Sequence, residues 1–117
     1  MTDLEKIKQL IQKNNVEVTF GTPNNNWQEL CVGLSVTESP ETRHYLSDKV
    51  GVAYRYIRIL VYCTDYLAGY ALMDEIKTKI DAAAKTTMHV VHVKDLDSTR
   101  DTAQAKFVLG TVYKEII

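Results

Sequence analysis

At 117 residues the chain is long enough for one domain, 1–117, of a size that buries roughly 65% of its unfolded surface. A net charge of −1, with 45% hydrophobic and 25% charged residues, excludes the basic field of a general nucleic-acid binder and the acidic excess of a disordered chain. No apolar run reaches the about 18 residues of a spanning helix, and MTDLEKIKQL carries charge where a signal peptide needs an apolar centre, so synthesis in the cytosol without export is expected.

Thr2 and Glu5 form a capping-box pattern, and Leu4, Ile7, Leu10 and Ile11 then recur at helical spacing. Residues 3–14 are therefore expected to be a short helix with one apolar stripe, stopped by Asn14 and Asn15. Val16, Val18 and Phe20 make a brief strand that GTPNNN ends with turn chemistry. From Leu30 the alternation is clean. Leu30, Val32, Leu34 and Val36 face one way; Cys31, Gly33, Ser35 and Thr37 face the other. The polar stretch from Ser39 to Gly51, which contains Pro40, reads as a long hairpin loop.

The next strand, VAYRYIRILVYC from Val52, is the most apolar in the chain. Its odd positions Ile57, Ile59, Val61 and Cys63 are wholly apolar, whereas Tyr54, Tyr56, Arg58, Leu60 and Tyr62 mix aromatic bulk with charge. After Thr64, Asp65 is a plausible N-cap for a helix over YLAGYALMDEIKTKIDAAA. Leu72, Ile76 and Ile80 repeat every four residues, with Ala68, Met73 and Ala83 beside them, and make a core-facing stripe. Asp74, Glu75, Lys77 and Lys79 fall largely on the wet side. A strand from Met88 to Lys94, a polar loop DLDSTRDTAQ and a last strand from about Ala105 to Tyr113 complete the chain. In that last strand Phe107, Leu109, Thr111 and Tyr113 share one face, with Val108 and Val112 on the other.

The order α-β-β-β-α-β-β predicts an α+β fold: an open mixed, mainly antiparallel sheet of four to five strands with two helices packed on one face. Covering the odd face of the tyrosine-rich strand uses up the helices. Its even face is then left needing a partner, because a large uncovered apolar patch is unusual on a monomer. The competing expectation is that the tyrosines are simply buried beneath the first helix.

Catalytic chemistry finds little support in the residues. His89 and His92 lie three apart on a strand, which sends them to opposite faces, and a zinc site needs further ligands that are not nearby. His44 falls in the long loop without an evident partner. Asp95, Asp97, Thr99 and Asp101 resemble the start of a calcium loop, but the turn glycine is replaced by Arg100 and the closing glutamate by Lys106. Cys31 and Cys63 lie in strand patterns with no flanking histidine and read as buried free thiols, a cross-strand disulfide being the alternative. There is no nucleophile elbow or phosphate-cradling loop, since the five glycines are scattered singly. Arg55 and Arg58 face opposite sides of their strand and so make no single phosphate track. No enzyme activity, metal or cofactor is expected.

With these elements in place, the sequence resembles the neck and tail-completion proteins of tailed bacteriophages, in the tail-terminator and minor-capsid group. The residues that carry the resemblance are the N-terminal helix before short strands, the block YRYIRILVYCTDYLAGYALMDEIKTKI, and the charged DSTRD before AKFVLGTVY. The resemblance implies a virion structural protein made in the bacterial host cytoplasm, forming a ring, commonly hexameric. Such a ring sits on the last tail-tube ring, stops polymerisation and joins the tail to the head. It implies as partners further copies of the chain, the tail tube protein and a head-completion or neck protein, with DNA passing through the lumen without specific binding and no membrane contact. Tyr54, Tyr56, Arg58 and Tyr62 are the candidates for subunit contacts, with Asp95, Asp97, Arg100 and Asp101 as a loop reaching a neighbour or the tube. A head-completion or minor capsid protein, and a non-viral α+β binding module, stay open as alternatives.

Overall fold

The computed structural model describes residues 3–12, 16–21, 30–38, 54–86, 88–101 and 106–116. The elements are α1 (Asp3–Ile11), β1 (Glu17–Phe20), β2 (Leu30–Glu38), β3 (Tyr54–Cys63), α2 (Tyr66–Ala84), β4 (Val90–Asp101) and β5 (Lys106–Ile116). Among the described residues the strands form one five-stranded sheet in the order β1-β2-β3-β5-β4. β1 runs parallel to β2 and every other pairing is antiparallel. The expected element order and the open, mainly antiparallel sheet are both present. The capping residue Thr2, the stop at Asn14 and Asn15, and the Ser39–Gly51 segment with His44 lie outside the described residues.

Alternation decides which sheet face meets the helices. Val32 and Leu34 of β2, Ile57, Ile59, Val61 and Cys63 of β3, and Leu109 and Tyr113 of β5 are buried together with Ile7 and Ile11 of α1 and Leu72, Met73, Ile76 and Ile80 of α2. Each aliphatic side chain taken fully out of water contributes about 1.5–3 kcal/mol, so this layer holds most of the driving force for folding.

α2 begins where Asp65, in extended conformation (φ −106°, ψ 114°), accepts the backbone N–H of Leu67 at 3.1 Å through its side chain. It ends as the Lys85 N–H turns back onto Ala82 and Ala83, and Met88 then anchors the exit in the core. The helix can lie flat on β3 only because residue 69 is glycine. A Cβ there would collide with the Cys63 Sγ and stand 3.2 Å from Leu109 Cδ1.

One expectation needs correction. The polar stretch from Asp95 is not a loop: β4 continues through it to Asp101, paired with β5 along its length. Polar residues are tolerated there because β4 is an edge strand, and register shifts after His92 and after Leu96 absorb the irregular pattern. The cysteines are the buried thiols expected, and the register excludes the alternative of a cross-strand disulfide. Cys31 pairs with Tyr62 on the face away from the helices, whereas Cys63 pairs with Leu30 on the helix face, and both are buried thiols outside any disulfide. Burial raises the Cys63 thiol, with the Asp65 charge adding to the rise, and the Sγ donates to the Phe107 carbonyl at 3.7 Å.

Candidate interaction surfaces

The outer sheet face is built by register. Across it run the rows Ser35–Arg58–Val112–Lys94, Gly33–Leu60–Gly110–Leu96 and Cys31–Tyr62–Val108–Thr99. Both helices pack on the opposite face, so the tyrosines of β3 do not lie beneath α1. Nor do they form a bare apolar surface. Tyr56, Leu60, Tyr62, Val108 and Val112 are half-buried by one another, and Arg58 is exposed. The middle row closes over a glycine: a Cβ at Gly110 would come within 2.7 Å of Leu96 Cδ1 and 2.9 Å of Leu60 Cδ2. Burial raises the Tyr62 phenol above its ordinary value, with Cys31 adding to the rise and Arg58 opposing it. The Tyr54 side chain lies outside what the structure describes; its backbone pairs with Ile116. Arg55 turns to the helix face, as its parity requires, and meets Glu115 at 3.0 Å. Register brings Lys94 and Lys114 onto the face of Arg58, which no single strand reveals.

The β4 candidates separate in space. Asp95 turns toward α2, where Lys77 Nζ donates to its Oδ2 at 2.9 Å and Thr111 Oγ1 donates to its Oδ1 at 2.9 Å. His92 Nε2 lies 3.0 Å from the same Oδ1, and its ring stands edge-on to Tyr113. The register shift at Val93 is what brings His92 and Asp95, three residues apart, to one face. The hydrogen bond from Lys77, with those of His92 and Thr111, holds the Asp95 carboxyl at about 2. This cluster ties α2 to the sheet within one subunit. Tyr113 below it is buried, which raises its phenol strongly, and the neighbouring charge of Asp81 raises it further. Asp97 is exposed at the second irregularity, and Arg100 stacks over the Phe107 ring at 5.4 Å. Asp101 pairs with Lys106 through the backbone, and its side chain lies outside what the structure describes. Extended pairing replaces the curled backbone that a calcium loop requires, and among the described residues no three His, Cys, Asp or Glu side chains group as metal ligands.

β4 exposes Val91 and Val93 at the sheet edge, and larger apolar surface lies elsewhere. At the start of α2, Leu67 is 75% exposed, Tyr70 59% and Tyr66 38%. Tyr66 stacks on Tyr70 at 6.4 Å and meets Phe107 edge-on at 5.5 Å. A groove of about 220 Å³ runs between these rings and Leu96, Asp97 and Ser98 of β4. At the other edge of the same layer Phe20 is 50% exposed and Val36 40%, with Lys8 Nζ 4.9 Å from the Phe20 ring centre. Sequence reasoning missed both patches. The available signal was that Tyr66 and Tyr70, four apart, fall off the Leu72–Ile76–Ile80 stripe, so large rings had to be facing out.

This arrangement of one helix-covered sheet has a counterpart in a solved structure. A chain from the virion of a native gene transfer agent particle superposes with a TM-score of 0.58 at 16% identity, over 94% of this chain and 82% of that one. The two share a fold. No protein-family model matches the sequence, and no curated protein is detectably similar to it.

Proposed function

We propose that the chain is a structural, non-catalytic protein of a phage-like virion, which assembles into a ring at the head–tail junction and terminates the tail tube. The observation that supports this best is the likeness of its fold, over nearly the whole chain, to a component of a gene transfer agent virion. The resemblance of the Tyr54-to-Ile80 block to the tail-terminator group points the same way. So does the surface, which offers apolar and aromatic contacts at separate places; self-assembly into closed rings requires such contacts. Tyr56, Arg58 and Tyr62 on the outer face, and Asp97 and Arg100 on β4, are the residues we assign to contacts with neighbouring subunits.

Co-purification tests the position in the particle. The protein, mixed separately with tail tubes and with portal rings of the same particle, is expected to sediment with the tubes and to halt their growth. Sedimentation with portal alone would make it a head-completion protein instead.

A further inference from the structure

We propose that two of the exposed apolar patches, Tyr66–Leu67–Tyr70 on one edge of the sheet layer and Phe20–Val36 on the other, are the two halves of a head-to-tail contact between copies of this chain. The proposal rests on the ring reading and names its lateral interface.

The first patch is pre-organised. Tyr66 is fixed between Tyr70 and Phe107, and Arg100 is already held on the Phe107 ring. Rigid aromatic groups with few rotatable bonds lose little entropy on contact, which makes them efficient anchors. Leu67, the most exposed large apolar residue described, stands beside them. Exposed carboxylates, Asp65 at the helix cap and Asp97 across the groove, flank this patch.

The second patch is smaller, and where the first carries both carboxylates and the cations Arg100 and Lys77, the cation described at its rim is Lys8. Phe20 pairs with Leu34, and Val36 is the next residue of β2 on that face, so the two side chains are diagonal neighbours. Lys8 supplies the cation at its rim.

Position completes the case. α2 carries the first patch over β5 and β4, whereas the second belongs to β1 and β2, and β1 and β4 are the terminal strands of the sheet order. Both patches lie on the helix-bearing side. Two unlike patches at opposite edges cannot pair by a two-fold axis. They pair head to tail, and repetition closes a ring when the rotation between copies divides a full turn. Exposed rings and a leucine on one side can receive Phe20 and Val36 of the next copy, with Lys8 facing Asp65 or Asp97 across the rim.

The test is a mixing experiment followed by light scattering. Leu67→Asp spoils the first patch without harming the helix, since an acid in the first turn is favourable there. Phe20→Asp spoils the second by replacing its ring with a carboxylate, which attracts neither Asp65 and Asp97 of the next copy nor the carboxylate introduced in the first variant. Each variant alone is expected to run as a folded monomer where the wild type forms a closed oligomer. An equimolar mixture retains one intact patch of each kind and is expected to give a heterodimer and nothing larger. A wild-type-sized oligomer from either variant would overturn the pairing and leave that patch to a different virion protein, with the ring itself intact. Monomers in the mixture would equally overturn it. A wild type that stays monomeric throughout sinks the ring reading rather than the choice of patches alone. Tyr70→Arg and Val36→Lys repeat the test should either first variant fail to fold.

Discussion

Gly69 carries the closest approach between helix and sheet, and its requirement is spatial rather than conformational. Its missing Cβ is what lets Cys63 Sγ and Leu109 Cδ1 sit against the α2 backbone. Gly69→Ala should therefore push the helix off β3 and destabilise the protein by about 1–3 kcal/mol, even though alanine is the better helix former. Urea denaturation checks the sign: a stabilised variant would mean the contact is looser than described. Asp95 makes a prediction in pH. Its carboxyl is lowered from 3.8 to about 2, so the folded state holds its proton less tightly than the unfolded chain. The stability it contributes is present above about pH 4 and is lost as pH falls toward 2. The side chain is 52% exposed, so solvent screening keeps the contribution to about 0.5–1 kcal/mol. Asp95→Asn should flatten the stability profile between pH 4 and 2 and leave its shape near pH 7 unchanged.

At the scale of elements, α2 was legible in the sequence to the residue, because cap, period and apolar stripe all agree. Asp65 caps it, and Leu72, Ile76 and Ile80 are buried as their spacing demands. Ile76→Ala is expected to cost about 2–5 kcal/mol by opening a cavity, and Leu67→Ala less than about 0.5 kcal/mol because Leu67 touches mostly solvent. Chemical denaturation of the two variants separates the buried stripe from the exposed patch. β4 was not legible beyond Lys94. Aspartates and serine have poor strand propensity, and what holds Asp95 to Asp101 extended is hairpin pairing with the next strand, β5, which residue-by-residue propensity does not register. The candidate surface divides in the same way. Parity alone correctly put Arg55 and Arg58 on opposite faces. Neither the basic row that joins Arg58 to Lys94 nor the His92–Asp95 juxtaposition could be read, since the first needs sheet register and the second a bulge. The half-burial of Tyr56 and Tyr62 was also hidden, because neighbours on other strands supply it.

Among the described residues the molecule has one helix-covered sheet face, one outer face of mixed tyrosine, leucine and cation, and exposed apolar side chains at both edges of the sheet. In the ring we propose, these separate surfaces would serve lateral and stacked neighbours. Arg58 lies at the centre of the outer face and is exposed, so Arg58→Glu should leave stability within about 0.5 kcal/mol of wild type while weakening assembly. Matched melting curves with an unchanged assembly profile would remove Arg58 from any interface. The most direct measurement is negative-stain electron microscopy of the purified wild-type protein over a range of concentrations. Closed annuli of uniform diameter are expected at the upper end. Solitary particles at every concentration, with Leu67 and Tyr70 still open to solvent, would contradict a ring-forming role.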